Sequence, residues 1–272
     1  MDARLFRRIQ RYGWDAATPA YHRGWVPLLE ELTRACVRRA EVAAGARVLD
    51  LATGTGVGAF HAAELVGPSG AVTGLDISEQ MVAHATETGE RLGTANVRFE
   101  RRDMEDTGVD EGAVDAVTVA FGLMYAADRG AAVAEMARVL KPGGRVSACV
   151  WGRRAACGWA EVFPIVDAHV ESEVCPLFFS LGGPGALTFA LSRAGLVGAC
   201  EERLPVTLSW KSADDAVGAM LEGGPVALAW KRFSPATRDE VRTAYLESLA
   251  PFRSGAGYAV PSEIVFATAR KP

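Results

Sequence analysis

Residues 48–58 read VLDLATGTGVG: an apolar run interrupted by a carboxylate at Asp50, then glycines at 54, 56 and 58. Alternate glycines directly after such a run predict a strand that turns sharply into a helix, leaving backbone N–H groups exposed at the turn. A loop of this kind commonly cradles phosphate at the positive end of the helix. Asp50 would repel phosphate. The ligand should therefore carry a cationic group as well as something for the loop to hold.

Outward from this loop, residues 46–151 alternate short apolar runs with helical patterns, as parallel strands joined by crossover helices do. Strands are expected at 47–52 (RVLDLA), 71–76 (AVTGLD), 96–101 (NVRFER), 114–122 (VDAVTVAFG) and 145–151 (RVSACVW). Helices are expected at 58–66, at 78–93 with Ser78 as N-cap, and at 128–140. Upstream, Leu28, Leu29, Leu32, Cys36 and Val37 recur at helical spacing, making 1–45 a helical segment. Downstream, 152–272 shows helical patterns at 159–171, 185–194 and 212–249 around strands 200–210 and 263–271. Only a turn-rich stretch precedes the last strand, so it should add antiparallel.

Composition bounds the rest. The 272 residues are 49% hydrophobic and 23% charged, enough for a sizeable core. A net charge of −4 gives no general attraction to nucleic acid. The charged N-terminus has no apolar signal region, and no apolar run approaches the ~18 residues that span a bilayer, so a cytoplasmic protein without membrane or nucleic-acid partners is expected. Five cysteines show no metal-ligand spacing, which points to free thiols and no metal.

In an open α/β sheet, ligands bind beyond the carboxyl ends of the strands. Asp50 stands near one such end, where it could pair with an amine while the following helix N-terminus attracts a carboxylate. Asp76 ends the second strand, where a carboxylate can accept from both hydroxyls of a ribose. Asp103 and Met104 follow the third and offer a purine a polar edge and an apolar face. S-adenosylmethionine carries an amino-acid end, a ribose and an adenine.

These residues resemble the motifs of class I S-adenosylmethionine-dependent methyltransferases, of the kind related to the ubiquinone and menaquinone methylases. VLDLATGTG (48–56) resembles the first motif, GLDIS (74–78) the second, RDMED (102–106) the third, and LKPGGRVSACVW (140–151) the turn into the fifth strand. The spacing is G-x-G-x-G, not the dinucleotide G-x-G-x-x-G. The resemblance implies a Rossmann-like, doubly wound, seven-stranded sheet, mostly parallel with an antiparallel last strand. A helical N-terminal lid (1–45) would precede a methyltransferase domain (46–272). That domain would comprise a cofactor half (46–151), a cap with the sixth strand (152–249) and a last strand (258–270). It also implies that S-adenosylmethionine, with S-adenosylhomocysteine as product, is held by Asp50, Ala52, Thr53, Gly54 and Gly56 at its methionine part. Asp76 would hold the ribose and Asp103 with Met104 the adenine, with Ile77 and Met81 also touching the cofactor, Ala120 near the methionine part and the transferred methyl, and Tyr21 or Trp25 closing on the methionine end.

The expected reaction is methyl transfer to oxygen, carbon or nitrogen of a small apolar or aromatic molecule, of the sort met in secondary metabolism. Alignment supplies much of the rate in such a displacement. Acceptor-pocket candidates are Phe121, Met124 and Tyr125 from the loop after the fourth strand and Trp151, Trp159, Phe163, Phe178 and Phe179 from the segment after the fifth. His22, Tyr125 and His169 are the candidates for a base, if one is used. An NAD-dependent oxidoreductase remains an alternative, because Asp76 stands 20 residues after Gly56; so does a non-catalytic S-adenosylmethionine binder. Arg4, Arg7, Arg8 and Arg11 share a helical face opposite Leu5, Ile9 and Tyr12, which reads as a solvated amphipathic helix. A monomer or homodimer is expected.

Overall fold

A computed structural model describes residues 3–171, 175 and 177–272. Two helices open the chain, α1 (Ala3–Gly24) and α2 (Val26–Arg39). The alternating core follows: β1 (Arg47–Leu51), α3 (Val57–Val66), β2 (Ala71–Asp76), α4 (Glu79–Leu92), β3 (Val97–Arg101), β4 (Val114–Ala120), α5 (Arg129–Val139) and β5 (Leu140–Trp151). Next come α6 (Val162–Asp167), α7 (Ala186–Arg193), β6 (Val197–Trp210), α8 (Ala213–Val217), α9 (Ala227–Arg232) and α10 (Pro235–Ser248), and the chain closes through β7 (Arg253–Ser254) and β8 (Gly257–Arg270).

The sheet order is β3-β2-β1-β4-β5-β8-β6, with the two-residue β7 paired to β8. The first five strands are parallel to one another, and β8 runs antiparallel to both β5 and β6. Seven principal strands and a reversed last strand thus match the sequence expectation. The order reverses between β1 and β4, and a crevice opens at their carboxyl ends. Val117 and Val119 are fully buried because helices cover both faces of this central strand.

Downstream, the helical zone expected at 212–249 is broken. Between α8 and α9 the chain makes a π-turn at Gly218–Glu222, and α10 starts only after Ser234, whose hydroxyl accepts from the Thr237 N–H. The zone expected at 159–171 holds only the short α6. The π-turn seats the N-terminal helices. Trp25 Nε1 donates to the Ala219 carbonyl at 2.7 Å. A Cβ at Gly24 would lie 2.8 Å from Ala219 Cα, and one at Gly223 2.6 Å from Tyr21 N. Backbone meets backbone here, so α1 is held close over the carboxyl ends of the strands.

Of the expected arginine face, Arg4 and Arg8 are exposed to water, but Arg7 and Arg11 are not free in it. Arg7 turns inward onto Asp103 and Glu105, and Arg11 pairs with Glu79, while Leu5 (39% exposed) and Tyr12 (50% exposed) face out. Acidic groups at the strand ends beneath α1 select the basic face. No helix among the described residues is long and apolar enough to cross a membrane.

Candidate functional site

Two non-glycine residues with positive φ mark the crevice. Ala52 (φ 49°) follows β1 and Phe121 (φ 56°) follows β4. Residues held in this region are strained, and such strain concentrates at binding sites. The two turns touch: a Cβ on Gly122 would lie 2.3 Å from the Cβ of Ala52. Gly54 (φ 55°) and Gly56 (φ 91°) then carry the chain into α3.

Above these turns lies a cavity at the carboxyl ends of the strands, where open α/β sheets bind small molecules. Its floor contains Ala52, Gly54 and Ala120, with Asp76, Ile77, Met81, Asp103 and Met104 along one side. Tyr21 and Trp25 close it from α1 and the junction to α2. The other side is aromatic, with Phe121, Tyr125, Trp151 and Trp159. Their rings meet edge-on or tilted: Trp151 and Trp159 centroids are 4.9 Å apart, and Phe121 and Trp151 are 5.1 Å apart.

Asp76 is 7% exposed, and both its oxygens accept backbone N–H groups at 2.9 Å, Oδ2 from Gly54 and Oδ1 from Ser78. Burial outweighs those bonds and lifts its pKa to about 6. Asp103 accepts from the Glu105 N–H at 3.0 Å and lies 2.9 Å from Arg7 Nε. Burial raises its pKa as well.

Several expected residues lie elsewhere. Asp50, 2% exposed, does not line the main cavity. Its Oδ2 accepts from Thr53 Oγ1 at 2.7 Å and its Oδ1 from Thr118 Oγ1 at 2.6 Å, with a further bond from the Ala59 N–H. Burial lifts its pKa to about 6. With those three donors it braces the glycine loop. A Cβ on Gly58 would lie 2.9 Å from Asp50 Oδ2, so the carboxylate is what requires the third glycine. Asp50 and Thr53 border instead a second, smaller space, which shares Tyr21, Leu29, Ala52 and Ala120 with the main cavity. On its wall is Thr55, 4% exposed, whose hydroxyl has no partner. Gly56 lies behind the loop against Phe60.

Met124 and Phe163 are buried in the apolar core and do not line the cavity. His22 stands on His84 with ring centroids 4.3 Å apart, and burial lowers its pKa; His169 lies against Phe233 at 5.9 Å. Neither lines the cavity. Tyr125 does, and burial holds its hydroxyl well above the usual phenol range, so it stays protonated. Among the described residues no cluster of His, Cys, Asp or Glu could hold a metal, and the five cysteines are free thiols.

Phe178, also a pocket candidate, lines the cavity and Phe179 does not; Arg7, Gln10, Trp14 and Glu105 line it as well. Three of them had a signal in the sequence. Arg7, Gln10, Trp14 and Tyr21 are spaced three, four and seven apart, one face of a helix. Glu105 stands within the RDMED motif, but nothing in the sequence marks its approach to Arg7, which spans 98 residues.

A family model described as a methyltransferase domain matches residues 48–144. Nocamycin O-methyltransferase of Saccharothrix syringae is 37% identical over 191 residues, 64% of this chain and 67% of that protein. A ubiquinone/menaquinone biosynthesis C-methyltransferase of Pseudomonas putida is 38% identical over 133 residues, covering 48% of this chain and only about half (49%) of its own length. Among solved structures, a Haemonchus contortus phosphoethanolamine N-methyltransferase complexed with S-adenosylhomocysteine superimposes with a TM-score of 0.65 at 19% identity. It covers 98% of this chain and 60% of the other, a likeness of fold.

Proposed function

The chain belongs to the class I S-adenosylmethionine-dependent methyltransferases, and on that premise we propose that it methylates oxygen or carbon of a small apolar or aromatic molecule. One observation carries this reading. Asp76 and the aromatic wall of Trp151, Trp159 and Tyr125 share a single cavity over the switch point between β1 and β4. The names of the nocamycin and quinone relatives supply the choice of oxygen or carbon.

S-adenosylmethionine supplies an electrophilic methyl group on a sulfonium. In this reading Asp76 accepts from the ribose hydroxyls, using the lone pairs that Gly54 and Ser78 leave free. Asp103 and Met104 flank the adenine. The small second space takes the amino-acid end, with the unpartnered Thr55 hydroxyl and the first N–H groups of α3 toward the carboxylate. The residues present fit these parts, and the buried Thr55 hydroxyl without a partner is the clearest mark of a missing polar contact. Ala120 and the strained Phe121 would lie beside the methyl that the cofactor supplies, and Tyr125, protonated at the aromatic wall, would donate to an acceptor there. The wall excludes water and fixes the acceptor's angle of approach, the part of catalysis that a methyl displacement most needs.

The test is a titration with S-adenosylhomocysteine and with NAD, followed by incubation with S-adenosylmethionine and aromatic and quinol acceptors under mass spectrometry. S-adenosylhomocysteine should bind and NAD should not, and acceptors should gain a methyl group. NAD binding without S-adenosylhomocysteine binding would overturn the proposal.

A further inference from the structure

We propose that Asp15 is a positioning residue for the cofactor: from α1 it fastens the first turn of α4 and, through Ser78, holds the Asp76 carboxylate where the ribose is read. This rests on the reading of Asp76 given above. Asp15 Oδ1 accepts from Ser78 Oγ at 2.7 Å and from the Gln80 N–H at 3.1 Å. Ser78 in turn caps α4, its Oγ accepting from the Met81 N–H at 3.1 Å, and its own N–H donates to Asp76 Oδ1 at 2.9 Å. One serine thus joins the two carboxylates. The N–H groups of a first helical turn have no partner within the helix. Here Ser78 satisfies one and Asp15, 65 residues away in sequence, satisfies another.

The consequence is a coupling. Seating α1 completes the α4 cap, and the completed cap aims Asp76. Seating also brings a like charge near Asp76. The groups facing Asp76 are Asp15 and Tyr21 from α1 and Asp50 from β1, with the Arg11–Glu79 pair joining α1 to α4 close by. Asp15 and Asp50 both favour the protonated form of Asp76, secondary to its burial.

Asp15→Asn keeps an acceptor oxygen and removes the charge, whereas Asp15→Ala removes both. Calorimetric titration of S-adenosylhomocysteine from pH 5 to 8 separates the two contributions. At pH 8, Asp15→Ala should bind about tenfold more weakly than wild type, a loss of about 1.4 kcal/mol, and trypsin should cut α1 at Arg7, Arg8 and Arg11 faster. Asp15→Asn should bind within about threefold of wild type and resist trypsin as wild type does. Its loss of affinity in acid should move to lower pH, because Asp76 no longer faces the extra charge. Wild-type affinity in Asp15→Ala, or an unmoved acid limb in Asp15→Asn, would overturn the proposal. Asp76→Ala, titrated alongside, is the separate check on the ribose reading, which fails if that variant binds normally.

Discussion

In Asp76 each carboxylate oxygen already serves one backbone N–H, from Gly54 or Ser78, and has a second acceptor site to offer a ribose hydroxyl. Asp76→Ala should weaken S-adenosylhomocysteine binding by roughly 3 kcal/mol, about a hundredfold or more. From sequence alone the variant looks neutral for stability, since a strand-end carboxylate leaves no hole in the core. The bonds to Gly54 and Ser78 change that expectation: two buried donors lose their acceptor, and ligand-free melts should show a loss of about 1–3 kcal/mol. Acid should act on the same group. With the folded pKa near 6, Asp76 is ionised above pH 7, and affinity should fall as pH drops through 6, approaching tenfold per unit. A flat profile between pH 5 and 8 would show that the ionised carboxylate is not what binds. Stability without ligand should respond in the opposite sense. The folded pKa of Asp50 and of Asp76, about 6, lies above the ordinary aspartate value of 3.8, so folding takes up protons between about pH 4 and 6. Their stabilising contribution is therefore full in acid and lost as pH rises through 6. Melts of wild type against Asp76→Asn across that range read the Asp76 part directly.

The approach of α1 to the π-turn makes an element-scale prediction. At Gly223 the φ angle is −105°, which any residue adopts, so Gly223→Ala probes proximity alone. The new methyl would meet Tyr21 N and Ala20 C within 2.7 Å. Overpacking of this kind costs about 1–3 kcal/mol. Because Tyr21 lines both spaces of the site, affinity for S-adenosylhomocysteine should fall with it, as calorimetry would show. Normal affinity in this variant would mean that α1 can shift without disturbing the cofactor. The elements themselves were legible in the sequence where local rules decide them. β2 begins and ends at the expected residues, and Ser78 caps α4 as its position implies. The breaks at 218–226 were not, since a π-turn is set by what it packs against and not by its own propensity. Asp50 shows the same limit at the site. Its carboxylate was visible as an anomaly beside a glycine loop, but its bond to Thr118 bridges 68 residues and no periodicity reports it. Strand-end carboxylates could be ranked from position alone; which face α1 would turn inward depended on Asp103 and Glu105, remote in sequence.

At the scale of the whole molecule, residues from α1, the sheet, the segment after β5 and the stretch at 224–225 enclose one cavity. The apolar cluster that supports it runs from Trp25 to Ala269 without a break between an upstream and a downstream part. Unfolding should accordingly be a single transition, and S-adenosylhomocysteine at a hundred times its Kd should raise stability by about 2.7 kcal/mol, several degrees in Tm. Two resolved transitions, with only one responding to ligand, would contradict a shared core. The chain has six tryptophans, and four of them, Trp14, Trp25, Trp151 and Trp159, form part of the cavity wall. Indole emission depends on what surrounds the ring, so the protein carries its own optical reporter, placed where an acceptor would sit. A library of candidate acceptors can then be sorted by the change each makes in that light, before any product is known.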